Sequence, residues 1–159
     1  MGEEVPVRKR FIGGQEERSA DRRWLDLEAL AQVELTSEEA EHPIEAALTG
    51  TGSGWLAGGS GEQVIRFLFH EPLRLRRVHV RFDENTPRTQ EFVFRWSRDR
   101  GQSYEEVVRQ QYTFSPPSTT REVEDYAVDL QGVSVLELRI APDIENRTAR
   151  ASLSELRVA

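Results

Sequence analysis

The sequence predicts an all-β sandwich. Short apolar segments of strand length recur at regular spacing from residue 32 onward, and several alternate apolar with polar side chains. No stretch after residue 31 holds a helical period of useful length. The 159 residues fit one ordinary domain with a surplus at one end.

That surplus is residues 1–23, polar and without period, predicted as a flexible tail ahead of a domain at 24–159. Trp24 to Ala31 has either a short helix or an apolar sandwich edge, with Trp24, Leu25, Leu27 and Leu30 as its apolar set. Gln32–Leu35 is a short strand, and His42–Ala47 has room for one helical turn. Thr49–Gly61 contains six glycines and is predicted as a long irregular loop.

Gln63–Phe69 is strongly apolar, and Pro72 predicts a break before the next strand. In Leu75–Phe82, Val78, Val80 and Phe82 alternate with Arg77, His79 and Arg81. A turn at Asp83–Arg88 leads to Glu91–Ser97, where Phe92, Phe94 and Trp96 share a face opposite Val93 and Arg95. After a turn at Arg98–Gly101 come a strand at Tyr104–Phe114 and a loop at Ser115–Ser118. Val123–Leu130 alternates again, Gly132 predicts a turn, and Val135–Ile140 and Ser152–Val158 complete the set.

Composition narrows the function classes. The net charge is −7, and residues 1–23 hold six basic against five acidic groups, so the remainder carries 15 basic and 23 acidic side chains. Such a body lacks the electrostatic attraction that drives nucleic-acid binding. The cluster Arg8-Lys9-Arg10 reads as solvated charge. No apolar run approaches the roughly 20 residues of a bilayer span. With no apolar leader segment and no cysteine, the expectation is a cytoplasmic, bacterial protein without disulfides or thiolate chemistry.

The order of motifs then resembles a known group. Thr36-Ser37, Ala47-Leu48-Thr49-Gly50 and Ser53-Gly54-Trp55 are followed by Ile65-Arg-Phe67 and by Leu75-Arg-Arg-Val78-His-Val80. Next come Phe92-Val-Phe94, Ser97-Arg-Asp99-Arg-Gly101, Tyr104-Glu-Glu-Val107 and the closing Leu153-Ser-Glu155-Leu156-Arg-Val158. Over residues 32–158 this series resembles the discoidin-like domains, also called factor type C or galactose-binding-like. Arg88–Phe92 and Phe114–Pro117 resemble a bacterial branch of that group. The resemblance implies a jelly-roll β-sandwich and a non-catalytic module for carbohydrate or glycoconjugate. The alternative is a protein–protein adaptor using the same sandwich loops.

It also implies where to look. Members of the group often hold a structural calcium, which here would fall to Glu155 with Thr49 and Thr51, although the loop lacks its usual aspartate. No cofactor is otherwise expected. Arg88, Tyr112, Phe114 and Arg147 stand on loops or strand ends where such sandwiches present ligand sites. Trp55 either stacks on a sugar or packs beneath its loop, as the corresponding Trp usually does. His42, His70 and His79 match no zinc spacing. Glu122, Glu124 and Asp125 cluster, but no nucleophile motif accompanies them, and no catalytic residue is expected. Oligomeric state is not legible.

Overall fold

The computed structural model describes residues 24–50 and 53–159. The predicted tail at 1–23 lies outside the described residues. Trp24–Ala31 resolves into both alternatives at once. Asp26 caps a single helical turn, α1 (Leu27–Leu30), accepting the Ala29 N–H at 3.3 Å. Leu25 N–H meanwhile donates to Val158 O, tying the segment to the sheet.

The strands are β1 (Ala31–Leu35), β2 (Trp55–Ser60), β3 (Gln63–Asp83), β4 (Arg88–Ser97), β5 (Glu105–Phe114), β6 (Arg121–Ala141), β7 (Arg150–Leu153) and β8 (Glu155–Val158). A second helical turn, α2 (Glu45–Leu48), precedes β2. All pairings are antiparallel: β1-β3-β6-β4-β5 in order, β8 beside β3, and β2 with β7.

Two strands of 21 residues each, β3 and β6, hold the jelly-roll sandwich together. Gln63–Leu68 pairs with Val135–Ile140 in the layer that contains β1, β4 and β5. Leu75–Asp83 pairs with Arg121–Leu130 in the layer that contains β8. The predicted breaks at Pro72 and Gly132 are therefore bends within continuous strands. Their register slips between Leu68 and Arg77, so the ladder is interrupted where a proline has no N–H to give. Gly132 sits there at φ +74°, a conformation that glycine adopts without strain.

The predicted irregular loop at 49–61 is corrected in part. Trp55–Ser60 is a strand, pairing Trp55 with Leu153 and bulging before Ser60 meets Arg150. Among the described residues no helix is long and apolar enough to cross a membrane.

Between the layers lie Ile65, Phe67 and Phe69, Val78, Val80 and Phe82, Phe92, Phe94 and Trp96, and Leu136, Leu138 and Ile140, all buried. Each large side chain removed from water contributes about 1.5–3 kcal/mol. On the outer face Glu137 is also buried, because Arg66 and Arg95 flank it in register and Arg139 reaches it along β6.

Candidate functional site

In β6, alternation sends Arg121, Val123 and Asp125 outward and Glu122, Glu124 and Tyr126 inward. Asp125 pairs outside with Arg77 at 2.7 Å and His79 at 3.1 Å. The inward three stand beside Phe82, Val80 and Val78 of β3. The predicted acidic cluster is thus divided between two faces.

Across the open edge of the sandwich, Gln90 of β4 pairs with Tyr112 of β5, and Phe92 with Gln110. Tyr112 packs edge-on to Phe114 with ring centres 4.9 Å apart, and its hydroxyl donates to Arg121 O at 3.1 Å. That bond stitches β5 to the start of β6. Gln90 faces the Glu122 carboxyl, and Glu124 lies against the same group. The result is a polar cluster between β4–β5 and β6, termed the slot, with half-buried Gln110, Tyr112, Glu124 and Tyr126 around fully buried Gln90 and Glu122.

The slot's polar atoms are unsatisfied. Among the described residues, both amide atoms of Gln90, both carboxyl oxygens of Glu122 and the Tyr126 hydroxyl are buried without a hydrogen bond of normal geometry. One such group costs about 1–3 kcal/mol, so three in one place, with five bare polar atoms, call for a partner. Burial, and then the neighbouring Glu124, push the Glu122 carboxyl up to about 8, while the facing Gln90 amide works against the rise. Burial and the same two carboxyls push the Tyr126 phenol up as well. At neutral pH Glu122 is therefore a neutral acid, able both to donate and to accept.

Glu137 is the counterexample on the outer face. Burial works against its ionisation, but hydrogen bonds from Arg95, Arg66 and Arg139 outweigh it and hold the carboxyl at about 2. Near it a groove of about 400 Å³ is lined by Glu62, Glu91, Val93, Arg95, Arg109 and Arg139. Its guanidiniums already have partners: Arg95 and Arg139 bond Glu137, and Arg109 faces Glu91 at 3.2 Å. The groove is a cross-strand charge ladder, whereas five polar atoms of the slot lack partners among the described residues.

The sequence-derived residues fare differently. Tyr112 stands at the slot. Phe114 is beside it but fully buried, which corrects the expectation that it faces a ligand. Arg88, opposite Phe114 in register, donates to Arg150 O at 2.9 Å and to Thr86 Oγ1 at 3.1 Å, and lies 3.6 Å from Glu84. It clamps β4 to β7. Arg147 is exposed in the segment before β7. Trp55 is 1% exposed and donates its indole N–H to Ser37 O at 3.0 Å, so it packs beneath its loop and is not a stacking surface. Sequence reasoning missed Gln90, Gln110 and Tyr126, and it noted Glu122 and Glu124 only as an acidic cluster without a catalytic role. A signal was present: Glu122 and Glu124 continue the face of β6 that carries Tyr126, Val128 and Leu130, where an apolar residue belongs.

The donors proposed for calcium do not fit it. Thr51 lies outside the described residues. Glu155 lies 3.5 Å from Arg81 Nη1, 3.6 Å from Arg157 Nη1 and 3.7 Å from His79 Nε2. Two guanidiniums around one carboxylate repel a divalent cation, which wants several anionic or carbonyl oxygens. Among the described residues no group of three or more His, Cys, Asp or Glu side chains is arranged to hold a metal.

No protein-family model matches the sequence. No curated protein matches it either. Solved structures do. The family 32 carbohydrate-binding module (CBM) of Clostridium perfringens NanJ, in complex with galactose, superposes with a TM-score of 0.61 at 15% identity, over 85% of this chain and 96% of that one. The CBM32 of AlyQ, in complex with 4,5-unsaturated mannuronic acid, gives 0.55 at 21% identity, over 86% and 97%. Reduced XRCC1, bound to the DNA pol beta catalytic domain, gives 0.57 at 13% identity, over 82% and 95%. With strands in this order and these neighbours, the chain has the discoidin-like, galactose-binding-like jelly-roll fold.

Proposed function

We propose that this chain is a non-catalytic carbohydrate-binding module whose ligand seat is the slot between β4–β5 and the first half of β6. The observation that carries the reading is the set of unpartnered polar atoms on Gln90, Glu122 and Tyr126 beside the half-buried ring of Tyr112. Sugar hydroxyls both donate and accept, as do an amide, a neutral carboxyl and a phenol, and an aromatic ring meets the apolar face of a pyranose. The fold neighbours bound to galactose and to an unsaturated uronic acid support the ligand class.

The reading is non-catalytic for a geometric reason. Glycosidic cleavage uses two carboxyls flanking the bond. Glu122 and Glu124 approach from one face of one strand.

Thermal unfolding against a saccharide panel tests the proposal. Ligand at 100-fold its Kd adds about 2.7 kcal/mol, which for a chain of this size raises Tm by roughly 5–10 °C. The rise should appear with one saccharide class and vanish in Tyr112→Ala and Gln90→Leu. A flat response across the panel rejects the reading. It would favour the adaptor alternative, for which the protein-bound XRCC1 neighbour is the precedent.

A further inference from the structure

Three carboxylates are buried among the described residues: Glu84, Glu122 and Glu137. Glu84 lies 3.6 Å from Arg88, and Glu137 holds three arginines. Among the described residues neither Glu122 nor Glu124 beside it has an ion pair, although the sheets around them are rich in Arg–carboxylate pairs. The groups facing Glu122 are Glu124 and Tyr126 along β6, Phe82 and Val80 of β3, and Gln90 of β4 with its partner Tyr112 of β5. None is a cation. Gln90, fully buried with both amide atoms lacking a partner of normal geometry among the described residues, faces the Glu122 carboxyl and offers its carbonyl as a further acceptor.

We infer that the slot takes a positively charged nitrogen, the ammonium group of its ligand, between Glu122, Glu124 and the Gln90 carbonyl. This rests on the slot being the ligand seat, and it narrows the saccharide to one carrying a free amine. An acid pair with one member buried, the other half-buried and no cation beside them is the arrangement an ammonium resolves, because charge-assisted hydrogen bonds form to both carboxylates. At neutral pH Glu122 carries a proton, which must leave as the ammonium enters. For each ligand that arrives already protonated, one proton passes to solvent and the net charge of the slot is preserved, whereas an amine that arrives neutral takes the Glu122 proton itself.

Isothermal titration calorimetry at pH 5.5, where the amino sugar is ammonium and Glu122 still holds its proton, reads affinity and proton release together when run in two buffers of different ionisation enthalpy. The probes are a glucosamine oligosaccharide, its N-acetylated counterpart, a neutral glucose oligosaccharide and the peptide Gly-Lys-Gly. The free-amine sugar should bind about tenfold or more tighter than the acetylated or neutral one, releasing about one proton. Glu122→Gln should abolish the release and the preference. Glu124→Gln, at the half-buried position, should reduce the preference. Equal binding of acetylated or neutral sugar overturns the inference and leaves the saccharide reading standing. Gly-Lys-Gly matching the amino sugar upholds the ammonium site and removes the saccharide reading in favour of a basic side chain from a partner protein. Absence of all binding by the folded chain overturns both.

Discussion

Glu122 and Glu137 are both buried on β6 and fifteen positions apart, and they titrate in opposite directions because of what surrounds them. The folded Glu122 carboxyl stands near 8, above its ordinary value of 4.5, so the folded state holds its proton more tightly than the unfolded chain. Its cost is absent below about pH 4.5, grows as pH rises, and levels off above about 8. Glu122→Gln should therefore match the wild type in acid and exceed its stability by on the order of 2–4 kcal/mol at pH 9. Urea unfolding of both proteins from pH 4 to 9 measures this, and parallel curves would contradict it. Glu137 is the reverse case. Its stabilisation is complete above about 4.5 and is lost as pH falls through about 2. Glu137→Gln should cost about 3 kcal/mol at neutral pH, with the difference narrowing in acid, because three guanidiniums lose their shared carboxylate. A neutral-pH cost below the error of the urea midpoint would refute that assignment. At this scale the sequence was least readable. Nothing local to Glu122 or Glu137 tells which will meet arginines, since Arg66 and Arg95 reach Glu137 only through pairing across β3, β6 and β4.

The strands themselves were largely legible, because period-2 alternation is a local property. Leu75–Phe82 and Phe92–Trp96 present the faces expected of them. The errors arose where local punctuation competes with tertiary pairing. Pro72 and Gly132 read as strand ends, yet both stand where β3 and β6 bend from one layer to the other. Glycine content hid β2, whose partner β7 lies some 90 positions away. Two glycine substitutions separate conformational strain from steric exclusion. A Cβ at Gly132 would meet nothing within 4 Å, so Gly132→Ala should cost only the positive-φ strain, about 1 kcal/mol. A Cβ at Gly54 would lie 2.5 Å from Leu153 O and 2.8 Å from Ser154 Cα, both backbone atoms. Gly54→Ala should cost roughly 3 kcal/mol or more by pushing β7 from β2. Equal urea midpoints for the two variants would contradict this account of the β2–β7 approach.

For the whole molecule, the ordered series of weak motifs sufficed for the fold, since a jelly roll fixes the sequence of strands. It did not suffice for the site. Gln90, Tyr112 and Glu122 come from three strands and meet only when the two layers close, so no spacing rule joins them. Trp55 and Phe114 drew attention as aromatics near loops, but folding spends both on the core. Of the sequence-derived set, Tyr112 stands at the proposed slot, Arg88 clamps the start of β4 to β7, and Arg147 is exposed before β7. The central claim is that ligand enters the slot between β4–β5 and β6, and backbone amide NMR during titration with the saccharide that raises Tm most tests it directly. The account predicts shifts concentrated on Gln90, Gln110, Tyr112, Glu122, Glu124 and Tyr126. Shifts gathered instead on residues 84–88 and 142–149, or along Arg95 and Arg139 of the outer face, would contradict it.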